Sequence, residues 1–192
     1  FERYVASFTV PTSFTGTYEV TSQMVTSKAL DQAAIAITTA ATTDYGLHLN
    51  NYATVDRITL NHTCNATGTI NGRSNCAILI GAKLSSDDTA SVGAVVSNVK
   101  VNYTDTGTFS GNTVAGFGDV SKLSIENLDV VTNNGTGLQF HWGYNAGATR
   151  TYHPRDIKIT GYQITGNTAR TTGLYLSGCH DISATDVTIK DC

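Results

Sequence analysis

Between His141 and Arg155 the chain gathers its only Trp, two of its nine Tyr, two of its five His and two Arg. Aromatic rings with polar tips suit a sugar: the ring face stacks on the apolar face of a pyranose, while imidazole and guanidinium groups bind hydroxyls or carboxylates. His141, Trp142, Tyr144, Arg150, Tyr152 and His153 are therefore the expected carbohydrate-binding set. The competing reading makes Trp142 and Tyr144 fold this stretch onto its own scaffold or onto a neighbouring subunit. Hydrolysis of a glycoside needs two carboxylates about 5–9.5 Å apart. Asp129 points outward from a strand and Glu126 stands three residues before it across a bend, so these two are the candidate catalytic acids. Asp119, Asp156, Asp181 and Asp186 flank corners and read as turn formers, while Asp44, Asp87 and Asp88 are left without a role. An eliminating enzyme would instead draw a base and a carboxylate-neutralising cation from His141, His153, Tyr152, Arg150 and Arg155. No clustered Asp, Cys or His has the spacing of a metal site, and no cofactor motif occurs.

The elements that must position these groups are short and repeated. Apolar-polar-apolar triplets follow chain reversals at Ile58-Thr59-Leu60, Val99-Lys100-Val101, Leu123-Ser124-Ile125, Ile157-Lys158-Ile159 and Ile182-Ser183-Ala184. Second triplets, Leu128-Asp129-Val130, Tyr162-Gln163-Ile164 and Val187-Thr188-Ile189, follow the last three. A strand-turn-strand unit recurring with a period in the twenties predicts a parallel β-helix, each coil burying one face on its neighbours. A glycine heads several coils, in Gly46-Leu47-His48-Leu49, Gly137-Leu138-Gln139-Phe140 and Gly173-Leu174-Tyr175-Leu176. Alternation puts those Leu and Phe side chains inward and His48, Gln139 and Tyr175 outward. Arg57, Asn98, Lys122, Asp156 and Asp181 precede the triplets, and Asn61, Asn102, Glu126, Thr160 and Thr185 follow them. Both sets read as polar corner ladders that satisfy backbone groups the sheets leave free.

Composition agrees: 31 Thr, 18 Gly and 14 Asn against 14% charged residues is an all-β signature. A net charge of −3 without a Lys/Arg cluster argues against a nucleic-acid partner, and no apolar run is long enough to insert as a membrane helix. Residues 1–44 read as an entry or capping segment: a hairpin with a turn near Pro11 to Gly16, then a short helix over Lys28 to Ala34, with a strand at Ala34 to Thr38 as the alternative. Residues 45–192 read as the coils, with loop insertions near 64–91 and 142–154, where solenoids place binding surfaces. An uncapped last coil leads to the expectation that these residues are a piece of a longer β-helix. Cys64, Cys76, Cys179 and Cys192 read as small buried hydrophobes, with a Cys64–Cys76 bridge as the alternative. The sequons at Asn61, Asn65, Asn102 and Asn134 read as structural.

On coils such as Asp181-Ile182-Ser183-Ala184-Thr185-Asp186-Val187-Thr188-Ile189, residues 45–192 resemble the right-handed β-helix proteins related to pectate lyases, and among these the phage tailspikes. The resemblance implies a homotrimer on a virion tail that binds a bacterial surface polysaccharide, whether capsule, exopolysaccharide or O-antigen, and depolymerises it, as a glycoside hydrolase rather than a lyase. The other expectations are a non-catalytic carbohydrate-binding adhesin, secreted or at a cell surface, and a rigid structural spacer.

Overall fold

The computed structural model describes residues 5–7, 33–39, 45–65, 75–81, 90–107, 111–144, 151–167 and 170–192. The expected hairpin turn near Pro11, most of the expected helix, Asp44, Asp87, Asp88 and Arg150 lie outside them. The described residues form strands and turns, without a helix. The successive strands Val5–Ser7, Ala33–Thr39, Ile58–Cys64, Val95–Asp105, Val120–Thr132, Arg155–Thr165 and His180–Thr185 make a first sheet, extended by Thr54–Asp56, Ser91–Val92 and Thr188–Lys190. A second sheet holds Tyr45–Leu49, Cys76–Gly81, Asn112–Phe117, Gly135–His141 and Thr171–Ser177, also in chain order. Every pairing within these two sheets is parallel. From Ala33 onward the chain passes from first sheet to second and back in each repeat, which is compatible with a parallel β-helix. The segment Ala33–Thr39 is a strand in register with Ile58–Cys64, so Ala33 and Ala34 are extended where the helix reading placed them in a cap. Ile35 and Ile37 face the core there, and that alternation outweighs the weak capping signal of Ser27.

The long first-sheet strands bend at residues in the left-handed region. One column of bends holds Tyr52, Gly93, Lys122, Asp156 and Asp181, the other Arg57, Asn98, Asn127, Gly161 and Asp186, with φ between 51° and 72°. The two bends stand five residues apart in each of these five pairs. Each short segment between them sends alternate side chains into the core, and Asn, Asp and Gly tolerate the bend where most residues would not. The second column is laced by side-chain amides: Asn127 Nδ2 donates to Asn98 Oδ1 (2.9 Å), and Asn98 Nδ2 donates to Asp56 Oδ1 (2.9 Å).

This geometry corrects the expected register. Val99 pairs with Leu128, not Leu123, and Thr59 pairs with Lys100. The triplets at Ile58 and Val99 thus belong with the second triplets of later repeats, and their own first segments are Thr54–Asp56 and Val95–Ser97. Of the corner residues expected from sequence, Arg57 and Asn98 bend in one column and Lys122, Asp156 and Asp181 in the other, whereas Asn61 and Asn102 lie within paired strands. Asn61 and Asn102 share a column, joined by an Asn102 Nδ2 to Asn61 Oδ1 hydrogen bond of 2.8 Å, whereas Glu126, Thr160 and Thr185 line another.

The core lies between the two sheets. Leu60, Val101, Val130 and Ile164 stack in register, each at most 1% exposed, and face Ile78, Val114, Leu138 and Phe140 of the second sheet. Each such aliphatic contributes about 1.5–3 kcal/mol on burial. The glycines heading the strands have a steric reason: a Cβ on Gly137 would collide with Ile164 Cδ1 and the Tyr162 hydroxyl, and one on Gly173 would stand 2.6 Å from Ile189 Cγ2. Cys76–Gly81, assigned to an insertion from sequence, is a strand buried at every residue. Its second face packs Leu79 against Ala115 and Phe117, so it is apolar throughout and lacks the alternation that marks a half-exposed strand. Cys64 and Cys76 are buried and not bridged to each other, whereas Cys179 is half-buried and Cys192 exposed. Burial pushes the Cys76 thiol up to about 12.

A candidate aromatic ledge on the second sheet

The second-sheet strand Gly135–His141 delivers His141 and Trp142 to its end, and the next repeat delivers Thr171–Ser177 directly beside it. His141 pairs with Ser177, and Trp142 N–H donates to the Ser177 carbonyl at 2.9 Å. On the outward face the His141 ring lies parallel to that of Tyr175, at 6.0 Å and 6°, and stacks on Trp142 at 5.5 Å and 22°. The indole rests against Gly178: a Cβ there, at φ +61°, would stand 2.7 Å from Trp142 Cδ1. The Ser177–Gly178–Cys179 turn is thus the seat of the indole, and only a residue without a side chain fits beneath it.

The rest of the aromatic stretch returns to the same turn. Gly143–Tyr144 pairs antiparallel with Thr151–Tyr152 at the base of the insertion. His153 Nδ1 lies 2.6 Å from the Gly178 carbonyl, and His141 Nδ1 lies 2.6 Å from the Trp142 carbonyl. A carbonyl only accepts, so both Nδ1 atoms carry hydrogen and Nε2 of each ring keeps a lone pair when the ring is neutral. His153 meets His180 edge to face at 4.9 Å. Arg155 is committed elsewhere, to Asp119 at 2.6 Å, so its charge is already answered.

The structure therefore brings His141, Trp142 and His153, all half-buried, around one turn, while Tyr152 is placed in the ribbon by its pairing with Gly143. Tyr144 is placed by its backbone at the base of the ribbon, and Arg150 lies outside the described residues. Sequence reasoning missed three contributors: Tyr175, Gly178 and His180. Part of the signal was available, because Tyr175 reads as outward and Asp181 as a corner residue; what was absent was the knowledge that the turn before Asp181 stacks directly on the insertion of the preceding repeat.

The candidate acids stand elsewhere, on the first sheet. Glu126 is exposed and accepts from Ser124 Oγ at 2.9 Å on its own segment. Asp129 lies past the Asn127 bend, on the next segment, and pairs with Lys100 at 3.5 Å. Asp56 pairs with Ser97 in register and Ser97 with Glu126, which puts the two acids in one outward row. Asp56 is held below the usual carboxylate range by hydrogen bonds from Ser97 and Asn98 and by the neighbouring Arg57 charge. No group of three or more His, Cys, Asp or Glu able to hold a metal ion occurs among the described residues. Comparison with family models, curated proteins and solved structures returns no match to this chain.

Proposed function

We propose that the chain is a stretch of right-handed parallel β-helix that binds a polysaccharide of a bacterial surface on the His141–Trp142–Tyr175 ledge. The observation that carries this reading is the seating of Trp142 on Gly178 beside the parallel His141 and Tyr175 rings. Flat, pre-positioned aromatic faces bordered by imidazole lone pairs suit a sugar ring, and ordering them in advance removes much of the entropic cost of binding. Tyr175 is 42% exposed, which leaves its face open to a ligand. In the tailspike-type version of this reading the protein is a homotrimer on a virion tail and also cleaves the glycan, with Glu126 and Asp129 as acid and base; a secreted or cell-surface adhesin would bind only.

The test is glycan binding by calorimetry on a panel of capsular polysaccharides and exopolysaccharides, with Trp142→Ala and Tyr175→Ala beside the parent. Loss of one stacking face is expected to weaken binding by roughly 1–3 kcal/mol, about 5- to 150-fold. Unchanged affinity in both variants sinks the ledge assignment. Following chain length over time in the same mixtures decides cleavage: shortening that persists in a Glu126→Gln/Asp129→Asn double variant removes that acid pair.

A further inference from the structure

We infer that the outer face of the first sheet carries a second saccharide site, in a groove lined by Asn102, Thr104, Val131, Asn133, Gly166 and Asn167. This inference rests on the polysaccharide reading of the ledge and adds a separate place for another sugar of the same chain. The groove holds about 250 Å³, the share of about eight liquid waters and so the space of one pyranose.

Its chemistry follows from alternation. Lys100, Asn102 and Thr104 point outward while Val99, Val101 and Tyr103 fill the core, and Asp129, Val131 and Asn133 do the same in the next repeat. The outward side chains that line the groove are amides and a hydroxyl, with Val131, 41% exposed, set among them. Asn102 spends one N–H on Asn61 Oδ1, which orients its amide and leaves the carbonyl oxygen for a hydroxyl. Asn133 is clamped, its Oδ1 accepting from Asp105 N–H and its Nδ2 donating to the Asp105 carbonyl, both at 2.8 Å. That clamp makes Asn133 a rigid wall. Amide and hydroxyl groups for ring hydroxyls, around one aliphatic patch for the ring's C–H face, are the requirements of a pyranose site. The lining residues carry no charge, Lys100 and Asp129 on the same face answer each other, and Lys190 borders the groove through its carbonyl, which takes the Gly166 N–H.

The experiment is a proton–nitrogen NMR titration of the whole chain with hexasaccharides of dextran, chitin and polygalacturonate. It is run on the parent, on a Trp142→Ala/Tyr175→Ala variant and on Val131→Lys, whose exposed position leaves the fold intact by circular dichroism. The expected result is saturable shifts at the Asn102 side-chain amide, Val131 and Gly166 that persist in the ledge variant. In Val131→Lys the groove affinity falls by about tenfold or more. Shifts confined to Trp142, Tyr175 and Gly178 overturn the groove and leave the ledge standing. Groove shifts without ledge shifts uphold the groove and remove the ledge. No shift at either place with any of the three probes overturns the groove.

Discussion

His62 is the residue whose surroundings most restrict its chemistry. It is 1% exposed, shares a 2.8 Å hydrogen bond between Nε2 and the Thr39 hydroxyl, and leaves Nδ1 without a partner. Asn75 Nδ2 donates to the same Thr39 oxygen at 2.9 Å, and the Tyr103 ring lies 5.3 Å away. Burial lowers the His62 pKa to about 4, against 6.5 for a free imidazole, with the Asn75 contact opposing the shift. The unfolded chain then takes up a proton below pH 6.5 that the folded chain refuses until about pH 4. Above pH 7 this residue adds no pH dependence; as the pH is lowered from 6.5 to about 4 stability is lost, by about 3 kcal/mol across the window. Urea unfolding at pH 7 and pH 4.5 is expected to show that loss in the parent and to show less of it in His62→Leu. Equal slopes for the two proteins would show that the imidazole is not the group responsible. The ledge has a residue-scale test of its own: Gly178→Val should displace the indole and weaken glycan binding about as much as Trp142→Ala, and should also lower the melting temperature by several degrees, because valine at φ +61° is strained.

At the scale of elements, the bends decide where glycine is required. Gly135 has φ +86°, and a Cβ there would fall on the backbone carbonyl of Gly111, which cannot swing aside. Gly135→Ala is expected to destabilise the fold by about 3 kcal/mol or more, read as a shift in the urea midpoint. Gly161 also has positive φ, but it stands in the Asn98–Asn127 column and its added Cβ would press only on the Asn127 side-chain oxygen, at 2.8 Å, with the Asn127 backbone N and Cα at ordinary contact distances of 3.4 and 3.5 Å. Gly161→Asn should therefore stay within about 1 kcal/mol of the parent, since Asn accepts that backbone and continues the amide ladder. The same bends explain how much of the fold was legible. Alternating triplets such as Ile157-Lys158-Ile159 announce segments with one buried face, so parallel strands and polar corners could be read directly. Register could not: the corner-and-four-residues pattern occurs twice per repeat, and Val99-Lys100-Val101 matches either occurrence. Ala94-Val95-Val96, the true first segment there, breaks the alternation with an outward Val95. The aromatic stretch was legible as a composition anomaly, while Tyr175 and His180 were hidden because their partnership is made by stacking between repeats, which one segment's sequence does not display.

For the molecule as a whole, burial changes along the stack. Ile164 is 1% exposed, whereas its register partner Ile189 is 47% exposed, with Val187 and Leu176 at 36% and 42% beside it. Ile164→Ala is expected to cost about 2–5 kcal/mol and Ile189→Ala less than about 1 kcal/mol, by denaturant unfolding. Near-equal costs would mean that Ile189 is covered in solution. The constant five-residue interval between bends has a further consequence, for the accidents of replication. A single codon gained or lost between Lys122 and Asn127 would turn Leu128, Val130 and every later inward side chain of that segment to the outside. A block of ten codons inserted between Trp142 and His153 would lengthen only the ribbon beyond the sheets, where loop closure grows slowly with length. An added residue is therefore costly between the bends and cheap in the ribbon, and the ledge sits at the rim of that ribbon.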